Sequence, residues 1–178
     1  DSFIKFYGSY LMDQAGEVEV LGNGGYAICG TETNESLGKR MVLIVTDAFG
    51  NVQSGFPKYY VEEGMETGGS SLIALQHGSG GCMLSGFVER PVAGSDQVQK
   101  DIFVVRTSST GTVTWQRSYG SLEDEQVLHS IEMLNSGYLL AGSQVNDGKS
   151  DLMVMGVTEE GDSIRLGLNY NNPYAENS

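Results

Sequence analysis

Short apolar runs recur along the chain at regular intervals, and a turn closes each one. Met41 to Val45 leads to Gly50, Ile102 to Val105 leads to Gly111, and Leu152 to Met155 leads to Gly161. Val42-Leu43-Ile44-Val45 and Ile102-Phe103-Val104-Val105 are apolar at every position. A strand with one wet face would alternate, so both faces of these strands must be covered. Two further patterns keep step with the runs. Gly24-Gly25-Tyr26 with Gly30, Gly80-Gly81-Cys82 with Gly86, and Ser136-Gly137-Tyr138 with Gly142 form one motif, and its middle glycine recurs at intervals of 56 residues. Phe3-x-Lys5-x-Tyr7, Phe56-x-Lys58-x-Tyr60 and Trp115-x-Arg117-x-Tyr119 form another, with Leu166-x-Leu168-x-Tyr170 as a degraded copy that lacks the basic residue. Three patterns in one fixed order are the signature of an internal repeat.

Each repeat predicts four short strands. The first is Glu17 to Leu21, Leu72 to His77 or Leu128 to Met133. A glycine turn leads to the second: Tyr26 to Gly30, Cys82 to Gly86 or Tyr138 to Gly142. The apolar run is the third, and the aromatic-basic-tyrosine segment is the fourth. The chain then reads as one domain, 1–178, of three repeats at about 9–60, 61–120 and 121–171. Residues 1–8 form an orphan fourth strand, and 172–178 form a tail. Between Ser121 and Gly137 local pattern points elsewhere, because Leu128, Ile131 and Leu134 have helical spacing between a capping serine and a terminating glycine. The repeat register overrides this and predicts strands. The expected fold is all-β and propeller-like, with three four-stranded antiparallel blades stacked face to face and an extra N-terminal strand. A β-trefoil or β-prism is the alternative, since it closes with three units.

The repeat resembles a family of bacterial β-propeller repeats. The resemblance rests on Tyr7-Gly8 with Asp13, Gly24-Gly25-Tyr26, Tyr119-Gly120 with Asp124, and the acids Asp101 and Asp151 before their apolar strands. Arg40 departs from the pattern at the first of those acids, Tyr60-Val61 replaces Tyr-Gly, and Cys82 replaces the hairpin tyrosine. The resemblance implies a fold and an exported protein, secreted or lipid-anchored, located in the periplasm or outside the cell. It implies no reaction.

Composition narrows the functions. Lys and Arg number 10 against 23 Asp and Glu, a net charge of −13, which argues against binding a nucleic-acid backbone. No apolar run approaches the ~20 residues of a membrane helix. The chain opens on Asp1, as a processed product or a fragment does, and a lipid anchor would sit on a removed N-terminal segment. Cys29 and Cys82 lie three positions apart in repeat register, on opposite sheet faces, and read as separate small buried residues. Gly22-x-Gly24-x-x-Ala27 formally matches a dinucleotide fingerprint, but a strand follows where a helix must start. Asp101 with Asp96, and Asp151 with Asp147, lack the spacing of a calcium loop. Asn34-Glu35-Ser36 is a formal glycosylation sequon and reads as a loop.

Four residues remain as candidate ligand-binding groups: Glu17, Glu19, His77 and His129. The histidines fall in first strands, and the acids around His129 (Glu123, Asp124, Glu125 and Glu132) read as a solvated loop and strand end. Glu17-Val18-Glu19-Val20 alternates where its sister strands are mostly apolar. The simpler reading puts the two carboxylates on a bare outer face of the first unit. The other lines a channel with them, attracting cations or basic peptides. No catalytic residue, metal site or cofactor is assigned. The expectation is a non-catalytic binding or scaffold propeller whose partner is a protein or glycan outside the cytoplasm. A polysaccharide hydrolase or lyase and a trefoil-type lectin are the alternatives. Three blades leave two apolar faces bare, which predicts either a homodimer or a segment of a longer repeat chain.

Overall fold

A computed structural model describes residues 3–75, 80–121, 123–134, 137–146 and 148–164. Among them there is no helix, and every strand belongs to one of three antiparallel four-stranded meanders. Sheet 1 runs β1 (Gln14–Val20), β2 (Tyr26–Asn34), β3 (Gly38–Thr46) and β4 (Lys58–Tyr60). Sheet 2 runs β5 (Glu66–Ala74), β6 (Cys82–Pro91), β7 (Val98–Thr107) and β8 (Val113–Tyr119). Sheet 3 runs β9 (Asp124–Glu132), β10 (Tyr138–Asn146), β11 (Lys149–Val157) and β12 (Ser163–Ile164). The stretch with helical spacing is therefore a strand, as the repeat register requires. The degraded copy Leu166-x-Leu168-x-Tyr170 and His77 lie outside the described residues.

The repeated glycines have two separate causes. Gly25, Gly81 and Gly137 follow the first hairpin. A Cβ on each would sit 2.1, 2.1 or 2.4 Å from the carbonyl oxygen that ends the third strand, at Thr46, Thr107 and Val157. Gly30, Gly86 and Gly142 lie opposite a β-bulge in the first strand, where Gly16, Ser70 and Leu128 are the extra residues. The bulge drives a carbonyl oxygen to 2.4, 1.9 and 1.8 Å from the position of the missing Cβ.

The sheets stack in sequence. Ala27, Cys29, Met41, Leu43 and Val45 on the leading face of sheet 1 pack with Leu72, Cys82, Leu84, Phe103 and Val105 on the trailing face of sheet 2. Ile73, Met83, Ile102 and Val104 on the leading face of sheet 2 pack with Val127, Tyr138, Leu140 and Val157 of sheet 3. Each Val, Leu, Ile, Met or Phe among them contributes roughly 1.5–3 kcal/mol when fully buried. The two cysteines are unpaired, as expected. They nevertheless share one core, because the leading face of one sheet looks at the trailing face of the next. Opposite faces of equivalent strands thus meet at a junction.

The aromatic-basic-tyrosine motif is a clasp across these junctions. Tyr7 Oη donates to the Gly50 carbonyl at 2.7 Å, Tyr60 Oη to that of Gly111 at 2.9 Å, and Tyr119 Oη to that of Gly161 at 2.6 Å. The aromatic and basic side chains crowd the same glycine: Phe3 and Lys5 at Gly50, Phe56 and Lys58 at Gly111, Trp115 and Arg117 at Gly161. Residues 3–7 make the first clasp without joining any sheet, so the expected N-terminal strand is an unpaired segment that keeps only the strand's side-chain contacts.

Sheet 3 does not close on sheet 1. On its leading face Leu152 is 83% exposed, whereas its repeat equivalents Met41 and Ile102 are 0% and 1% exposed. A trefoil or prism would cover that face. On the trailing face of sheet 1, Val18 and Val20 are exposed as well, together with Ile4 and Phe6 of the N-terminal segment.

Candidate functional site

The polar groups converge where the three first strands meet. The bulges put Glu17, Ser71 and His129 at one repeat position, immediately after Gly16, Ser70 and Leu128. Glu17 Oε2 accepts hydrogen bonds from Ser71 Oγ at 2.7 Å and from the Leu72 backbone N–H at 2.8 Å. Glu17 Oε1 lies 3.4 Å from His129 Nδ1. Ser71 Oγ in turn accepts from the Ser130 N–H at 2.9 Å and bonds Ser130 Oγ at 2.8 Å, and Ser130 Oγ reaches Ser85 Oγ at 3.2 Å. One carboxylate therefore joins sheets 1, 2 and 3 through side chains from each.

This placement corrects the simpler reading of the first strand. Glu17 and Glu19 point to the leading face of sheet 1, toward sheet 2, and Val18 and Val20 are on the bare side. Alternation identified two faces but could not say which one has a neighbour. Glu19 lies near Cys82, whose thiol is pushed up to about 11 by burial first and by the Glu19 charge second. Burial also raises the Cys29 thiol. Both cysteines are thus protonated at neutral pH and unreactive.

A serine nucleophile needs a base on its hydroxyl and room for substrate. Ser71 is fully buried and donates to Glu17, and His129 faces that same carboxylate, not the serine. The arrangement is therefore a structural knot that retains one exposed group, the His129 ring, at 73% exposure. A hydrogen bond to a charged acceptor is worth about 1.5–3 kcal/mol, so Glu17 is a strong tie between sheets.

The acids around His129 are only partly the solvated group that the sequence suggests. Asp124 Oδ1 accepts from the Lys100 N–H at 2.8 Å, tying sheet 3 to β7. Glu125 is buried. Its Oε1 accepts from Ser121 Oγ at 2.5 Å and Gln144 Nε2 at 3.0 Å, while Oε2 has no hydrogen-bond partner among the described residues. It lines a pocket of about 410 Å³ with Ile102, Tyr119, Met153 and Met155. The repeat equivalent of Glu125 is Thr67, whose hydroxyl donates to the Tyr60 carbonyl and accepts from Met41 N–H. Sequence reasoning missed this burial because four acids in ten residues resemble a wet strand end.

At the outer ends of the strands, carboxylate–arginine pairs replace any cation site. Asp101 receives Arg90 Nε at 2.6 Å and Gln99 Nε2 at 2.9 Å. In sheet 1 the polarity is exchanged. Arg40 takes the place of Asp101 and pairs with Glu32 at 2.6 Å, with its guanidinium 3.8 Å over the Tyr59 ring. The departure at Arg40 is thus compensated by an acid on the neighbouring strand. Among the described residues no group of three His, Cys, Asp or Glu side chains is placed to hold a metal ion. No helix of the described residues is long and apolar enough to cross a membrane. No protein-family model matches the chain, and no curated protein is similar to it.

Proposed function

We propose that the chain is a non-catalytic binding or scaffold module, an arc of a β-propeller belonging to an exported bacterial protein, periplasmic or extracellular. The observation that carries this reading is the commitment of the convergent polar groups to one another. Glu17, Ser71 and Ser130 spend their hydrogen-bonding capacity on joining sheets, and the best-placed hydroxyl is sealed from solvent. The stacked sheets and their repeated clasp support a rigid frame, and such frames present recognition through loops and rims. Export, and a lipid anchor as one form of it, are supported by the repeat's resemblance to exported bacterial propellers. The partner is a protein or glycan outside the cytoplasm, and the bare sheet faces belong to a larger ring.

A glycan array, followed by a turnover assay on every ligand retained, tests the reading. Binding without product is the expected result. Release of reducing ends or unsaturated sugars would overturn it in favour of a hydrolase or lyase.

A further inference from the structure

We infer that the leading face of sheet 3 docks on the trailing face of sheet 1 of a second copy of this chain, so that two copies close a ring of six sheets through two identical junctions. The inference deepens the ring reading above and rests on it. The two outer faces are the repeat equivalents of two faces that already bury against each other twice within the chain. The leading face of sheet 3 is open, and on the trailing face of sheet 1 Val42 and Ile44 are already buried beside the N-terminal segment while Val18 and Val20 are exposed. On the leading side, Ile131, Leu152 and Val154 are 57%, 83% and 53% exposed. Their equivalents in sheet 2, Ile73, Ile102 and Val104, are 9%, 1% and 0% exposed against sheet 3. On the trailing side, Val18 is 59% exposed, and its equivalent Leu72 is 1% exposed against sheet 1. Leading-to-trailing contact is the only mode the repeat uses, and it makes each junction head-to-tail.

Two details fit a second copy better than an unrelated protein. Each junction needs a clasp on the turn glycine of the following sheet. At sheet 1 that clasp is already present, since Phe3, Lys5 and Tyr7 hold Gly50. The degraded copy of the motif in the third repeat, Leu166-x-Leu168-x-Tyr170, lacks the basic residue of the clasp in its sequence. The axis repeats the same logic. Glu17 accepts from Leu72 N–H, and the equivalent Ser71 accepts from the equivalent Ser130 N–H. His129 is the third member of that series, and a neutral imidazole nitrogen is an acceptor for Val18 N–H of the second copy.

Light scattering of the purified chain should give twice the 19.1 kDa of one copy. A stable monomer at tens of micromolar overturns the inference. Leu152→Lys on the leading face and Val18→Lys on the trailing face should each give monomers, with the β signature in circular dichroism retained as proof of folding. An equimolar mixture of the two variants should form dimers again, because one intact leading face and one intact trailing face remain. A Val18→Lys chain that stays dimeric would mean a face-to-face contact of sheet 3 with itself and would overturn the head-to-tail junction. None of these outcomes depends on glycan binding or turnover, so failure here is separable from failure of the binding reading.

Discussion

Ile102 and Leu152 stand at the same place in the same repeat, yet one is sealed and the other is open to water. Their strands have the same neighbours within the sheet, and both are followed by a turn that ends in glycine. What differs is the next sheet. Ile102 packs with Val127, Tyr138 and Leu140, whereas Leu152 faces no other sheet among the described residues. For this pair, burial is a property of the junction, not of the residue. The repeat writes the same apolar face three times and leaves its fate to whatever stacks on it.

The largest effect that would test this comparison is at a glycine. Gly86→Ala puts a Cβ 1.9 Å from the Gly68 carbonyl oxygen and 2.9 Å from Gly69 Cα, both rigid backbone atoms of the neighbouring strand. It should cost more than about 4 kcal/mol or prevent folding. Gly22→Ala, with nothing within 4 Å, should stay within about 0.5 kcal/mol, and denaturant melts compare the two. Next comes the pair itself. Ile102→Ala should cost about 2–5 kcal/mol, while Leu152→Ala in a chain kept monomeric by Val18→Lys should cost less than about 0.5 kcal/mol. Equal losses would show that the open face is covered from within the chain.

The clasps come third. Tyr60→Phe removes the bond to Gly111 and should lower stability by about 1 kcal/mol in chemical melts. The smallest effect is alkaline. Burial pushes Tyr119 up to about 12 from its usual 10.0. The folded state holds this proton more tightly than the unfolded state, so the stabilisation is complete below pH 10 and is lost as the pH rises toward 12. The melting temperature should fall over that window, and Tyr119→Phe should flatten the fall.

The fold was legible because its repeated residues answer to contacts that also repeat. Glycines at fixed spacing mark carbonyl approaches, and the aromatic-basic-tyrosine set marks the clasp. The bulges were not legible, and the first strands begin earlier than their apolar residues suggest, β5 at Glu66 and β9 at Asp124. In β9 the extra residue Leu128 changes the spacing of buried positions from two to three, since Glu125, Val127 and Ser130 are inside. The residues with helical spacing, Leu128, Ile131 and Leu134, are instead exposed. In β5 the expected strand begins only at Leu72, because nothing in Gly68-Gly69-Ser70-Ser71 is apolar. The glycines are there because the strand lies directly on sheet 1, where a Cβ on Gly69 would sit 2.3 Å from Cys29 Sγ. Where the first strands meet, Glu17 and His129 were singled out from the sequence. Ser71 and Ser130, which complete the knot, carry no signal beyond being small and polar.

The clasps also impose an order on the folding of the nascent chain. Each joins residues far apart in sequence: 43 positions from Tyr7 to Gly50, 51 from Tyr60 to Gly111 and 42 from Tyr119 to Gly161. In every case the tyrosine is synthesised first and the carbonyl it needs arrives most of a repeat later. A sheet leaving the ribosome can thus pair its own strands by hairpins, but its last strand keeps an idle hydroxyl until the third strand of the following sheet and the turn after it have been made. Growth is directional, with each sheet's final tyrosine held in waiting as a template for the next.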